Sequence, residues 1–188
     1  MRLETARLLL RPWEPRDRAP YAAMVTDPEM RRYYTEIPSI ETAFGWVDGY
    51  NSVLAAVGFH WLAVERKADG RLLGDAGLAL IDQVTRDAMK RPCAVEIGWT
   101  IERQSWGQGY ATEAAAACLH FAWDVAGLPE VIAFTQAQNA ASERVMQKLG
   151  MTRDPQFGFE DPTVPPGHWQ RPHLIYRISN PRERDQQK

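Results

Sequence analysis

Two glycines, Gly107 and Gly109, join an apolar strand-like run to an alanine-rich helical run, and this junction constrains the fold more tightly than any other feature of the chain. The strand candidate covers residues 94–101. The helix candidate covers residues 110–126, with Ala111, Ala115, Cys118, Ala122 and Val125 at helical spacing on one face. Between them runs Gln104-Ser105-Trp106-Gly107-Gln108-Gly109-Tyr110-Ala111-Thr112-Glu113-Ala114. A helix N-terminus leaves its first amides unpaired and carries about half a positive charge, so a glycine turn there admits phosphate oxygens to several N–H donors. Neither glycine has a side chain to block the approach. The junction therefore predicts a phosphate cradle. Its spacing is neither Gly-x-x-x-x-Gly-Lys-Ser/Thr nor Gly-x-Gly-x-x-Gly before a distant ribose-binding acid, which separates it from two familiar nucleotide loops.

The rest of the pattern mixes strand and helix. Residues 3–11 read as a strand, residues 15–26 as a helix with Asp17 as cap and Ala19, Ala22, Ala23 and Met24 facing inward, and residues 40–57 as a second helix. Strands at 59–65 and 71–79 flank Lys67-Ala68-Asp69-Gly70, a hairpin turn. The charged stretch 82–92 reads as a loop. Another strand at 131–135 precedes Asn139 and a helix that closes at Met151. Pro155, Pro162, Pro165, Pro166 and Pro172 bar a long helix from the next twenty residues, leaving a long loop or short extended pieces. A last strand at 173–178 leads into a polar tail, residues 180–188, expected to be frayed. This order predicts an α/β (α+β) architecture, a mixed sheet covered by helices, in one domain over residues 1–179.

With 188 residues the chain can bury a core without staples. Cys93 and Cys118 read as reduced thiols of a cytoplasmic protein, and no metal-ligand spacing appears among Cys and His. The charged N-terminus lacks the form of a secretory signal, and no apolar run approaches membrane-spanning length. A formal net charge of −2 with scattered basic residues gives no footprint for nucleic acid. The sequence leaves a homodimer open.

The Gln-x-x-Gly-x-Gly run resembles the acyl-CoA pyrophosphate loop of the GCN5-related N-acetyltransferase (GNAT) superfamily, and Trp-Gly-Gln-Gly-Tyr-Ala-Thr-Glu-Ala resembles its ribosomal-protein branch. Glu96-Ile97-Gly98-Trp99 stands where that branch carries Glu-Ile-Gly-Trp. Asn139-Ala140-Ala141-Ser142 and Leu149-Gly150-Met151 are similar to its downstream motifs, and residues 4–13 to its first strand. The resemblance implies a largely antiparallel central sheet with a splayed strand pair, acetyl-CoA as co-substrate, no metal, and direct attack by a primary amine in a ternary complex. The acceptor would be a small amine or a protein N-terminus. It further implies that the pantetheine arm pairs with the main chain of Trp99, Thr100 and Ile101, whose groups also face the oxyanion. The pyrophosphate would meet amides within Gln104, Trp106, Gly107, Gln108, Gly109, Tyr110, Ala111 and Thr112.

Individual residues keep two readings. Asn139 is a helix N-cap by position and a pantetheine ligand by resemblance. Ser142 is a first-turn residue or the hydroxyl that stabilises the departing sulfur. Many superfamily members use a Tyr as the acid, and the helix after Asn139 offers none. Glu96 is a structural hydrogen-bonding partner or a carboxylate that orients a water beside the amine. His173, Glu160 and Asp161 are candidates for facing the acceptor, in a groove expected from the first two helices, the 82–92 loop and the Pro-rich segment. Trp46, Trp61 and Trp169 are either groove walls or packing, and Trp106 is expected to pack beneath the loop. Cys118 is no nucleophile candidate. The competing function is a catalytically silent acyl-CoA-binding module; a generic nucleotide loop is a third reading.

Overall fold

Continuous buried runs build the first sheet, because its inner strands are covered on both faces. Leu8 and Leu10 in β2 (Leu8–Arg11), Leu62 and Val64 in β3 (Trp61–Arg66), and Leu73, Ala76 and Leu78 in β4 (Arg71–Leu80) are all buried. The expected strand 3–11 is in fact two strands. The Thr5 amide donates to the Leu8 carbonyl and the Leu8 amide to Thr5 Oγ1, so the chain reverses and β1 (Leu3–Glu4) pairs antiparallel with β2. Strands β2, β3 and β4 continue as antiparallel neighbours, and the β3–β4 turn places Gly70 at a positive φ of 68°, as the hairpin reading requires.

This computed structural model describes residues 1–90 and 93–184. The chain divides into two compact units, Met1–Ala79 with Gly98–Cys118 and Leu80–Ile97 with Leu119–Lys188. Strands β4 and β5 (Val95–Ile101) and helix α5 (Tyr110–Asp124) contribute residues to both.

In the first unit, helices α1 (Arg18–Val25), α2 (Pro28–Arg31) and α3 (Ile40–Val57) accompany the sheet, with Trp13, Tyr21, Val25 and Val47 in one buried cluster. The inward face of α1 is Tyr21, Ala22 and Val25, whereas Ala19 and Ala23 are exposed and Met24 is half-buried. Asp17 does not cap α1. It closes a short 3-10 turn, Pro15–Asp17, and its carboxylate receives Arg11 Nη1 at 2.7 Å and Nη2 at 2.9 Å. Two buried opposite charges in bidentate contact satisfy each other, which a surface cap would not achieve.

In the second unit, β6 (Glu130–Gln136) lies antiparallel to β8 (Pro172–Ser179), and β8 antiparallel to β7 (Thr152–Glu160). Strand β5 meets β6 in parallel at Glu96↔Ile132, the one step registered among the described residues, although both strands run on past it. Two expectations change here, and the segment after Met151 takes its extended alternative. Residues Gln83–Met89 form helix α4, capped by Asp82, whose carboxylate accepts the Thr85 amide; this replaces the expected loop, while residues 91 and 92 lie outside the described ones. The segment after Met151 opens as strand β7 despite Pro155, because β7 pairs with β8 alone and a register shift between Arg153 and Gly158 falls at the proline. Asn180 does not fray: its amide donates to the Pro129 carbonyl, its side chain to the Leu128 carbonyl, and Pro181–Arg184 forms a helical turn, α7. Residues 185–188 of the expected tail lie outside the described residues.

Helix α5 buries Ala115, Cys118 and Ala122 as expected, with Ala111 half-buried. Val125 is 72% exposed, because α5 stops at Asp124 and Gly127 takes a positive φ.

Candidate functional site

The glycine junction is built within the first unit. After β5 the chain makes a 3-10 turn, Arg103–Ser105, in which Ser105 Oγ donates to Glu102 at 2.7 Å. Gly107 and Gly109 follow at φ 75° and 83°, left-handed values that an L side chain adopts only with strain. The amides of Gly107 through Thr112 find no acceptor within the protein among the described residues; the first α5 bond is Glu113 N–H to the Gly109 carbonyl at 3.0 Å. Six donors in sequence at a helix start are what a pyrophosphate needs, so the residues present fit the group.

Arginines hold the loop from outside. Arg7 donates to Glu113 at 2.6 Å and to the Gln108 carbonyl at 3.0 Å, and its guanidinium lies 4.4 Å from the Tyr110 ring centre. Glu113 also accepts Thr5 Oγ1. Burial alone would raise its carboxyl, but the bonds from Thr5 and Arg7 hold it below the ordinary value. Arg71 donates to Gln104 Oε1 at 3.0 Å and to Glu102 at 2.7 Å. Trp106 is not beneath the loop: it is 42% exposed, tethered by its indole N–H to the Ile101 carbonyl, with Arg32 5.6 Å from its ring. Gln108 and Gln104 are exposed, Tyr110 is buried, and Ala111 and Thr112 are half-buried.

Trp99 and Thr100 are half-buried and Ile101 is buried. Their strand runs against β4 so closely that a Cβ on Gly74 would sit 1.9 Å from the Thr100 carbonyl oxygen. Beside this step lies Asp75, 6% exposed, which accepts the Tyr21 hydroxyl at 3.0 Å; the Tyr50 hydroxyl stands 3.5 Å from that of Tyr21. Burial pushes the Asp75 carboxyl up to about 7, against hydrogen bonds from Tyr21 and Thr100 and the charge of Arg31. Trp61 covers Gly98, whose added Cβ would meet its ring at 2.9 Å, and Trp46 packs on the first unit's core.

The second unit holds the other expected residues. Asn139 does cap helix α6 (Ala140–Lys148): its Oδ1 accepts the Ser142 amide at 3.2 Å, while its Nδ2 donates to Thr135 Oγ1 and to Ser142 Oγ. With its oxygen already accepting that bond, Ser142 keeps its own proton for donation elsewhere. Among the described residues the Glu96 side chain makes no hydrogen bond, and the residue is half-buried. Burial, with repulsion from Asp82, pushes its carboxyl up to about 7. Glu160 pairs with Arg171 at 3.0 Å, Asp161 accepts from Thr163, and Trp169 is exposed. In the first unit, the buried Cys118 thiol is pushed up to about 12, which agrees with an inert thiol.

A family model described as an acetyltransferase (GNAT) domain matches residues 7–152. The chain belongs to this GNAT acetyltransferase family. It is therefore an enzyme of the acyltransferase class, and the family implies acetyl transfer from acetyl-CoA. It is 32% identical to an FsC-acetyl coenzyme A-N(2)-transacetylase of Aspergillus fumigatus, over 88% of this chain and 71% of that protein. It is 28% identical to YoaA of Bacillus subtilis, described as an uncharacterized N-acetyltransferase, over 81% of this chain and 83% of the relative. A GNAT-family acetyltransferase structure from Bacillus anthracis covers 96% of this GNAT chain and 99% of its own at TM-score 0.77 and 24% identity. RimJ of Mycobacterium smegmatis, in complex with CoA-disulfide, covers 92% and 81% at TM-score 0.70 and 20% identity. These two likenesses show the mixed, largely antiparallel fold. No helix among the described residues is long and apolar enough to cross a membrane.

Arg7, Glu113, Asp75 and the Tyr21–Tyr50 pair went unmarked by sequence reasoning. Arg7 and Glu113 lie inside the two stretches that resemble the family, and their opposite charges were the available signal. Nothing local marks Asp75.

Proposed function

We propose that this GNAT enzyme transfers an acetyl group to a primary amine, a small molecule or a protein N-terminus, by direct attack, and that residues 1–179 act as one catalytic domain. The observation that carries the reading is the run of unpaired amides from Gly107 to Thr112 behind two left-handed glycines. Acetyl-CoA supplies a thioester whose acetyl carbon is open to an amine nucleophile.

Each unit has its own work. In the first, the loop amides hold the pyrophosphate, and the main chain of Trp99, Thr100 and Ile101 pairs with the pantetheine amides and donates toward the carbonyl oxygen. In the second, Ser142 donates its unshared proton toward the leaving sulfur, held in place by Asn139, which supports the arm through the same cap. Glu96, raised to about 7 by burial and repulsion from Asp82, orients a water that relays the amine proton to its carboxylate. The reduced, buried Cys118 supports a cytoplasmic setting.

The deciding experiment is thiol release from acetyl-CoA across primary amines and N-terminal peptides. Amine-dependent release with stoichiometric acetylated product is expected. Tight CoA binding without any amine-stimulated release would leave a cofactor-binding module in its place.

A further inference from the structure

Gln136 closes β6 in the second unit. It is 5% exposed, and its Oε1 is a buried oxygen with no hydrogen-bond partner among the described residues. A buried amide oxygen left unpaired costs about 1–3 kcal/mol, so its retention calls for a donor. The register shows what surrounds it. Gln136 stands opposite His173 on β8, and His173 opposite Phe159 on β7, so the three side chains form one row across three antiparallel strands on one face.

The His173 ring stacks on Phe159 at 4.9 Å between centres, and Phe134 adds an edge 5.6 Å from Phe159. His173 Nδ1 lies 3.0 Å from the Arg171 carbonyl oxygen. A carbonyl only accepts, so Nδ1 carries the hydrogen, and Nε2 is the acceptor of that tautomer. The row thus offers two acceptors, Gln136 Oε1 and His173 Nε2, beside an aromatic wall. That is the complement of a primary amine with N–H donors and an apolar flank.

We propose that Gln136 and His173 form the acceptor subsite, taking the N–H groups of a primary amine whose carbon flank lies on the half-buried Phe134, which packs against the buried Phe159. This rests on the acetyltransferase reading and names its substrate class. Neither residue marks a known motif in the sequence, and Gln136 is distinguished only by its burial and its orphaned oxygen.

The test uses the full chain with 2-phenylethylamine and an alanine-initiated tripeptide as acceptors. Gln136→Leu removes the oxygen and keeps the bulk; His173→Phe keeps the stack and removes Nε2. Each is expected to raise the acceptor KM by about 10-fold or more, the effect of losing a hydrogen bond to a charged group, while the Kd for CoA holds. Since Gln136→Leu removes an unsatisfied group, its Tm should hold or rise. An unchanged acceptor KM in both variants, with wild-type transfer intact, removes the subsite alone. A parallel weakening of CoA binding would mark the row as structural and overturn it. If wild-type enzyme consumes no amine, the transferase reading falls and the subsite with it.

Discussion

At the scale of the residue, the loop glycines carry the clearest consequence. A Cβ on Gly109 meets only Arg7 Nη2, at 3.5 Å, so the obstacle to substitution is the φ of 83° and the space above the amides. Gly109→Val is expected to weaken CoA binding by about 10-fold or more, because a β-branched side chain would stand over the donors; titration calorimetry on a variant with native circular dichroism checks it. Intact affinity in that folded variant would show that the amides do not hold the pyrophosphate. Ser142 makes a different demand. A proton offered to the departing sulfur matters chiefly in the transition state, so Ser142→Ala should lower kcat more than it raises the acetyl-CoA KM. Equal changes, or none, would leave it as the residue whose amide completes the Asn139 cap.

Elements that follow a local rule were legible in the sequence, and those set by distant partners were not. The strand, glycine turn and helix of the cradle were readable because helical period, glycine spacing and apolar runs are all written within thirty residues. Asp82 and Thr85 also spelled out a cap, but the charge around them read as loop, and α4 was missed. Strand β7 hid behind Pro155, since only its position at the sheet edge makes a proline tolerable there. Asp17 looked like a cap until Arg11 stood beside it, and Arg7 meets Glu113 across more than a hundred residues. No local pattern encodes such pairs. The half of the candidate site made of backbone was therefore predictable, while Asp75, Tyr21 and Gln136 emerged only from packing. The cap of α4 gives a test at this scale: Asp82→Ala should lower stability by about 1 kcal/mol, read from urea unfolding, with the first unit's glycine loop unaffected. No loss would mean that packing of Met89, not the cap, holds α4.

For the molecule as a whole, two buried carboxyls oppose the usual acid sensitivity. Asp75 and Glu96 are each raised from ordinary carboxylate values to about 7 by burial, so the folded protein binds protons there that the unfolded chain has already released. Their stabilising effect is fully present below the unfolded pKa and is lost as pH rises through about 7. Within that window each group removes up to about 1.4 kcal/mol per pH unit. Asp69, held down to about 2 by Arg66, acts in the opposite direction at still lower pH, and His60, lowered by burial, offsets part of the slope below its ordinary value. Urea unfolding should therefore give a larger free energy at about pH 5 than at about pH 8, the reverse of a protein governed by paired surface carboxylates. Asp75→Asn replaces the ionising oxygen with a neutral amide that still accepts the Tyr21 hydroxyl, so it should flatten this slope mainly by gaining stability at the alkaline end. Glu96→Gln should flatten the remainder. A wild-type stability that rises from pH 5 to pH 8, or an Asp75→Asn variant that keeps the full slope, would show that this carboxyl ionises at an ordinary pH in the folded enzyme.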